Sequence, residues 1–447
     1  MSFYALHSKQ IALPEGIRDA TILIQDGLIT GIEEGLISGM GVGLLDMGDK
    51  VVMPGVIDPH VHINEPGRTD WEGFETATRS ALAGGITTLV DMPLNSSPVT
   101  TTAAAFDQKL AATAGQLHCN VGFWGGVVPG NEKEIGSLID RGVLGFKAFL
   151  THSGIDEFPN VTEADLRKVM PAIARSGLPL LVHCELEGEM SGGALGVDRR
   201  SYQNYLLSRP PVWEEDAIAL MIRLCAEYRC RTHIVHLSSA GSIDLIRKAK
   251  DKGLPLTAET AQHYLYFAAE GIRDGATSFK CAPPIRSREN NDQLWEALQE
   301  GVIDFVATDH SPAPPDLKEL DSGDFIRAWG GISSVQLALS ALWTLTRKKG
   351  GTPKDLVKWL CGGPAALIGQ SGRRGEISRG RVADLVVWDP GAEFIVTKEG
   401  LHHKHKNTPY LGERLAGVME QTWLSGVKVF DRGVVTEPGE GQPILNG

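Results

Sequence analysis

The chain has 447 residues and a formal charge of −12 at pH 7, with 43 lysines and arginines against 55 aspartates and glutamates. This length exceeds one ordinary core and predicts a large domain of about 250 residues joined to a smaller one. The acidic balance, without a dense basic run, argues against a nucleic-acid partner because nothing would neutralise a line of phosphates.

The N-terminal segment and the cysteines bear on the cellular compartment. Residues 1–13 lack a basic region followed by an uninterrupted apolar stretch, so they predict neither a signal peptide nor a membrane anchor. The six cysteines are scattered without a CxxC pair, which favours reduced thiols over a disulfide framework or a zinc ribbon. We therefore expect a soluble, cytoplasmic protein without a membrane partner.

Short apolar runs broken by glycine occur near both ends of the chain, as strands of a small sheet would require. They predict that residues 1–53 and 378–447 together form one accessory β-sandwich domain. The runs are residues 20–24, 29–32, 51–53, 383–388, 393–396 and 418–424.

Between these ends, strand-like apolar runs alternate with helical stretches. Both faces of each run are apolar, as a parallel sheet demands. About eight such runs are present, the number that closes a (β/α)8 barrel, so we predict an α/β fold with a TIM barrel at residues 54–377. The strand-like runs are residues 56–61, 87–91, 120–127, 144–149, 180–183, 231–236, 255–259 and 305–308. The helical stretches are residues 75–83, 162–175, 214–225 and 243–252.

The first chemical signal is the sequence Asp58-Pro59-His60-Val61-His62 at the end of the first predicted barrel strand. Positions two apart in a strand face the same way, so His60 and His62 project together and can hold one metal ion. Taken alone, the pair equally suits two hydrogen-bonded core histidines.

Residues with ligand-type side chains also end four later strands, at Lys147, His183, His236 and Asp309. The carboxyl ends of barrel strands meet on one face, so side chains far apart in the sequence converge there. Five strand ends directed at one pocket predict a metal centre.

Lys147 is the unusual member of this set. A protonated amine cannot bind a cation, and its burial between Phe146 and Phe149 is costly without a partner. Carbon dioxide converts a lysine amine to a carbamate, whose two oxygens can bridge two metal ions. We therefore predict that Lys147 is an N6-carboxylysine; the alternative is a lysine whose stem packs on the aromatics while its head reaches water.

These ligands imply metal-assisted hydrolysis. Two divalent cations lower the pKa of a shared water to roughly 7 and polarise the carbonyl that the water attacks. Asp309 is predicted to bind one metal and to carry the proton from this water to the leaving nitrogen. His310 is assigned a supporting place beside the ligands, and His233 a place in the core. Zinc is the default metal, although Co, Mn or Fe suit the same ligands.

At these residues the sequence resembles the amidohydrolase superfamily, specifically its cyclic amidase branch of dihydroorotases, hydantoinases and allantoinases. The likeness runs from about residue 46 to residue 388 and includes the phrases at 375–377 and 380–385. His263 also matches a family position near the site, without an argument for a ligand. The family is often tetrameric, which implies a homotetramer. The resemblance implies that a binuclear metal site is held by His60, His62, Lys147, His183, His236 and Asp309.

The residues around the ligands distinguish among the enzymes of this branch. Dihydroorotases place an arginine after the HxH pair, where its paired donors hold a substrate carboxylate, but Asn64 stands there in this chain. The segments at 64–74, 91–96 and 149–159 resemble those of allantoinases. This resemblance implies hydrolysis of the hydantoin ring of allantoin to allantoate, in purine (ureide) catabolism.

Four residues are candidate substrate contacts: Asn64, Asn95, Cys281 and Ser311. The Asn95 amide suits a ring carbonyl, and the loops that carry Cys281 and Ser311 offer backbone donors and acceptors to a ureide. The alternative is that these polar loop residues are only solvated. Residues 313–317 are also expected to form part of the pocket wall.

Two other functions compete with this interpretation. One is another cyclic amidase, either a dihydroorotase or a hydantoinase (dihydropyrimidinase) with an atypical loop. The other is a non-catalytic scaffold, as in family members that have lost their ligands. Every ligand type is present in this chain, which favours an enzyme.

Overall fold

The computed structural model describes residues 3–37, 43–188, 198–436 and 439–446. Its strands are β1 (Phe3–Leu13), β2 (Gly16–Gln25), β3 (Leu28–Glu34), β4 (Gly43–Asp46), β5 (Val51–Pro54), β6 (Val56–Val61), β7 (Ile86–Asp91), β8 (Asn120–Phe123), β9 (Gly125–Gly126), β10 (Phe146–Phe149), β11 (Leu180–His183), β12 (Thr232–Ile234), β13 (Leu256–Ala261), β14 (Phe305–Ala307), β15 (Leu385–Ile395), β16 (Arg414–Leu424), β17 (Val427–Asp431), β18 (Val434–Val435) and β19 (Pro443–Ile444). Its α-helices are α1 (Phe74–Ala83), α2 (Ala103–Ala112), α3 (Glu134–Asp140), α4 (Glu163–Ser176), α5 (Tyr202–Leu207), α6 (Pro211–Tyr228), α7 (Ile243–Asp251), α8 (Gln262–Tyr266), α9 (Arg288–Glu300), α10 (Ala338–Lys348), α11 (Pro353–Val357) and α12 (Gly363–Leu367).

The central part of the chain forms the predicted (β/α)8 barrel. Its parallel strands follow the order β6-β7-β8 and then β9-β10-β11-β12-β13-β14. β8 and β9 belong to one continuous run, and a bridge between Val61 and His310 joins the last strand position to the first. Because both faces of these strands are covered, nearly every strand residue is buried.

The two chain ends build a second sheet, as the sequence predicts. Its strand order is β18-β17-β16-β15-β5-β1-β2-β3, and β4 pairs with β1. The sequence suggests separate strands at 383–388 and 393–396, but the single strand β15 covers most of both. Asp389 explains the discontinuity, since its Oδ1 accepts hydrogen bonds from the backbone N–H groups of Gly391 and Ala392 and distorts the strand there.

The C-terminal tail returns to the barrel. β19 pairs in parallel with β8, with Ile444 opposite Gly122, and the Asn446 N–H donates to the Gly142 carbonyl over 2.9 Å. Residues 443–444 therefore add a short strand next to β8, on the side of β8 away from β7.

Local signals explain where the long helices start and stop. Thr162 caps α4 through a reciprocal pair of hydrogen bonds with Asp165, and Gly177, at a φ of 73°, ends it in the left-handed conformation.

Within the described ranges, no helix has both the length and the apolar character needed to span a bilayer. All six cysteines are buried and unpaired.

Candidate metal centre and substrate cavity

The predicted ligands lie where the barrel strands end. His60 belongs to β6, with His62 just after it, and Lys147 lies within β10. His183 is the last residue of β11. The remaining two, His236 and Asp309, follow β12 and β14 in the left-handed region, with φ values of 38° and 47°. All six side chains are buried.

Three of these side chains converge closely enough to share an ion. Ligand atoms of His60, His62 and Asp309 all lie within 4.8 Å of one another. The Asp309 Oδ1 atom is 3.2 Å from His60 Nε2 and 3.6 Å from His62 Nε2. Burial opposes ionisation of Asp309, but the imidazoles of His60 and His62 lower its pKa well below its usual range. The carboxylate is therefore ready to bind a cation.

The other two histidines extend this cluster. The ring centroid of His236 is 5.3 Å from that of His60 and 4.6 Å from that of His183. Burial lowers the pKa of both His183 and His236, so both rings favour the neutral form that binds metals. The structure thus brings all four histidines into one contiguous group.

Lys147 has the environment that carboxylation would need. Its side chain is fully buried, and Nζ lies 4.8 Å from the ring centroid of Phe149, which stacks on His183. Among the described residues no group hydrogen-bonds this amine. Burial lowers the pKa of Lys147 to about 8, which increases the share of the neutral, nucleophilic amine. A head group that reaches water is inconsistent with this burial.

A buried carboxylate orients His60. Glu259 Oε1 hydrogen-bonds His60 Nδ1, while its Oε2 lies 3.1 Å from His233 Nε2. Burial opposes ionisation of Glu259, but His60 and His233 lower its pKa to about 2. Since the carboxylate accepts the Nδ1 proton, His60 Nε2 is left free for a metal. His233 itself lies in the core, where its Nδ1 pairs with Thr257.

His183 has a similar support. Its Nε2 lies 2.7 Å from Glu185 Oε2, which leaves Nδ1 free for a metal. Arg209 holds the same carboxylate through Nε, at 3.0 Å from Oε1, and through Nη2. Sequence reasoning missed Glu185, Arg209 and Glu259. The available signals were the two-residue spacing of His183 and Glu185, and a glutamate within a predicted apolar strand.

His310 and His263 occupy different places around the ligands. The His310 carbonyl accepts the His62 N–H over 2.8 Å, and its Nδ1 accepts the Ser334 N–H over 3.0 Å. His310 therefore ties the loop after β14 to the loop after β6. His263 is fully buried, and burial lowers its pKa to about 4. Neither of its ring nitrogens has a hydrogen-bond partner within the described ranges.

A cavity of about 530 Å³ opens directly over the cluster. Asn95 and Ser311 lie on its wall, with Asn95 Nδ2 at 3.2 Å from His62 Nδ1. Neither Asn64 nor Cys281 is a wall residue; the carbonyl of Cys281 accepts the Tyr205 hydroxyl over 2.6 Å. Residues 313–317 also do not line it. Wall residues that sequence reasoning missed are Leu94, Phe149, His152, Ser153, Gly154, Glu187, Tyr205, Ser208, Arg209, Trp213, Lys280, Ala282, Ile326, Arg327, Ala328, Trp329 and Gly330.

Replacing Glu259 with glutamine should weaken metal binding by about 10- to 100-fold. The neutral amide no longer holds the Nδ1 proton of His60, so that ring loses its fixed orientation and part of its basicity. Competition with a chromogenic chelator measures the affinity. Glu300→Gln, at a solvent-exposed ion pair with Arg247, is the control and should bind metal like the parent. Equal affinity in Glu259→Gln and the parent would contradict the assigned role.

Comparison with known proteins places this architecture among related sequences and structures. The family model described as "Amidohydrolase family" matches residues 51–429. An allantoinase from Streptomyces avermitilis is 45% identical over 97% of this chain and 96% of its own length. An Arabidopsis thaliana allantoinase is 43% identical over 96% and 88%, respectively. The solved L-hydantoinase (dihydropyrimidinase) from Arthrobacter aurescens superposes with a TM-score of 0.92 at 32% identity, covering 100% of both chains.

Proposed function

The chain belongs to the amidohydrolase family, and from that premise we propose that it is an allantoinase, which opens the hydantoin ring of allantoin with water to give allantoate. The observation that carries the proposal is the convergence beneath one cavity of four histidines, Asp309 and the buried amine of Lys147, which pairs with no group in the described ranges. The proposed substrate is taken from the relatives at 45% and 43% identity, which match nearly the whole chain and are allantoinases.

We propose that His60, His62, carboxylated Lys147, His183, His236 and Asp309 hold two divalent cations, zinc by default. The donor set fits this role for two reasons. At His60 and His183 a glutamate hydrogen-bonds one ring nitrogen and leaves the other available to a metal, and Asp309 is ionised. When bound, such cations lower the pKa of a water molecule to roughly 7 and polarise the substrate carbonyl.

Asp309 moves the proton in the proposed reaction. Its carboxylate accepts a proton from the attacking water while the water oxygen bonds to the ring carbonyl carbon. The carbon–nitrogen bond then breaks, and Asp309 returns the proton to the leaving nitrogen. His310 keeps Asp309 in register with His62 through the backbone hydrogen bond described above.

The proposed substrate contacts surround this centre. Asn95 and Ser311 present side chains on the cavity wall, and Cys281 would contribute its backbone N–H, because its carbonyl is already paired with Tyr205. Asn64 stays in the set from the sequence comparison: its amide is fully buried and does not line the cavity, but it pairs with no other group among the described residues. Amide and backbone groups of this kind match the alternating carbonyls and N–H groups of a ureide.

A substrate panel tests the proposed function. The zinc-loaded protein is assayed with allantoin, dihydroorotate, 5-substituted hydantoins and dihydropyrimidines, and kcat/KM is compared. We expect allantoin to be preferred. A preference for dihydroorotate or for the hydantoins would instead assign the chain to one of those cyclic amidases. A protein that takes up no metal in supplemented medium and hydrolyses none of the substrates would be a scaffold.

Replacing Asn95 with glycine should raise the KM for allantoin by about 10- to 100-fold, since a lost substrate hydrogen bond costs about 1–3 kcal/mol. Asn95 has a φ of 65°, a conformation that glycine tolerates, so the backbone is retained. Ser425→Gly makes the same backbone change at a φ of 47° in the accessory sheet and should leave the KM unchanged. Steady-state kinetics distinguish the two; an unchanged KM in the Asn95 variant would remove this residue from the substrate contacts.

Three further features are proposed from the family resemblance. Residues 1–53 and 378–447 would form the accessory domain and residues 54–377 the barrel; parts of these ranges lie outside the described residues. The protein would assemble as a homotetramer and work in the cytoplasm. Light scattering on the purified protein and fractionation of the source cells test the last two.

A further inference from the structure

Two loops form one wall of the cavity. Lys280 and Ala282 belong to the loop before α9, while Ile326 to Gly330 belong to the long connection after β14. Neither loop contains a strand or an α-helix at these positions, so regular backbone pairing does not fix their shape. Other groups must hold this wall in place.

Lys318 supplies those contacts from behind the wall. It is 3% exposed, and its Nζ donates to the carbonyl oxygens of Lys280 at 2.7 Å, Trp329 at 2.9 Å and Gly331. Burial lowers the pKa of Lys318 to about 7, but three carbonyl acceptors require three N–H donors, which only the ammonium form of lysine possesses. One buried charge thus joins both loops.

Lys280 adds a second clamp of the same kind. Its Nζ donates to the carbonyls of Ile326, at 3.1 Å, and Ala328. The Trp329 N–H donates to the Leu317 carbonyl over 2.7 Å, next to Lys318 in the chain. The loop at 326–331 is therefore held through its backbone at several successive positions.

The direction of the held carbonyls decides what the wall presents. In a trans peptide the C=O and N–H groups point in opposite directions. With the carbonyls of Lys280 and Trp329 turned towards Lys318, the N–H groups of Cys281 and Gly330 point away from it. Within the described residues, no hydrogen bond uses either N–H. Gly330 lines the cavity and Cys281 lies between the wall residues Lys280 and Ala282, so both N–H groups are unpaired at the wall that a ligand would face.

We propose that Lys318 is a positioning residue, whose ammonium fixes the two wall loops so that the backbone N–H groups of Cys281 and Gly330 bind carbonyl oxygens of the cyclic ureide. This inference rests on the proposed function. Lys318 does not itself touch the substrate or the metal ligands; it acts through three carbonyls. Its loss should therefore impair substrate binding more than the chemical step.

Lys318→Met tests the proposal, because methionine keeps much of the side-chain volume and removes the charge and donors. We expect the KM for allantoin to rise about tenfold or more, with kcat within about threefold and metal content unchanged. Lys250→Met is the matched control: Lys250 donates to the Gly301 carbonyl and to Asp304 away from the cavity, so its loss should leave KM unchanged.

A merely structural role for Lys318 would lower the melting temperature and the active fraction without changing the KM of the molecules that remain active. An unchanged KM in Lys318→Met, or an equal rise in Lys250→Met, would overturn the proposal. If Lys318→Met does not fold, Lys318→Gln, which keeps two donors, is expected to show a smaller rise in KM, and an unchanged KM there counts against the proposal.

The test of Lys318 can be separated from the test of the proposed function. If the parent protein does not hydrolyse allantoin, the substrate assignment fails. The KM comparison is then made with whichever cyclic amide the substrate panel identifies. Lys318→Met must raise the KM for that substrate as well, or the positioning role is wrong.

Discussion

Replacing Lys147 with alanine is expected to reduce kcat/KM for allantoin by at least about 10³-fold and to lower the bound metal from two ions to one or none. The physical reason is the location of the amine: Nζ is buried, contacts the face of Phe149 and has no hydrogen-bond partner among the described groups. An unmodified ammonium there would repel the cations, whereas a carbamate supplies two anionic oxygens. Metal analysis and steady-state kinetics measure both effects.

The same substitution allows a rescue experiment. Small carboxylic acids that mimic the proposed carbamate are expected to restore part of the activity of Lys147→Ala, because the truncated side chain leaves room beside the proposed metal ligands. Lys250→Ala, at the ion pair with Asp304, is the control. It should keep the activity of the parent protein, and the acids should not change that activity. Full turnover and metal content in Lys147→Ala would show that the lysine is not a ligand.

Replacing Asp309 with asparagine is expected to lower kcat by about 10³- to 10⁴-fold. The amide cannot accept a proton from water, although it retains the size and part of the ligand capacity of the carboxylate. Asp292→Asn, at an exposed pair with Lys349, is the matched control and should keep full activity. Turnover within about tenfold of the parent would assign the proton transfer to another group.

The pH dependence gives a second measure of Asp309. His60 and His62 lower its pKa well below the usual range despite burial, so the carboxylate is ionised throughout about pH 5 to 8. A group with a depressed pKa loses its ionised form only as the pH falls through that low value. The kcat of the parent should therefore show no loss from Asp309 in this interval, and any acid limb there must belong to another group.

The convergence of the ligands could be predicted from the sequence because it depends on strand ends. A barrel places the carboxyl ends of its strands on one face, and His60, Lys147, His183, His236 and Asp309 each lie near the end of an apolar run or directly after it. Neither the geometry of a barrel nor the position of a residue along an apolar run depends on the shape of the loops. The sequence pattern and the fold therefore agree most closely at the centre of the molecule.

The supporting carboxylates could not be identified in this way. Glu259 reaches His60 across 199 positions of sequence, and nothing in its own neighbourhood indicates which histidine it faces. The same applies to Arg209, which lies on the short helix-connecting segment before α6 and meets Glu185 only in the folded chain. Such contacts depend on packing between strands and loops, which periodicity does not encode.

The residues of the cavity wall that lie on loops are also difficult to predict from the sequence. Asn64 and Asn95 look alike in sequence, and both adopt positive φ values, of 68° and 65°, yet only Asn95 lies on the wall. Residues 313–317, for which the sequence suggests a pocket wall, do not line the cavity, and the next residue, Lys318, places its amine behind the wall and against backbone carbonyls. The prediction that residues 313–317 form part of the wall is therefore wrong.

The pairing of β19 with β8 has a consequence for the order of folding. Residues 443–444 leave the ribosome more than 300 positions after the strand that they accompany, and β5 likewise waits for β15. Such long-range pairs form late because a large loop must close before they contribute stability. β8 and β5 therefore gain these partners only after the C-terminal part of the chain has been synthesised.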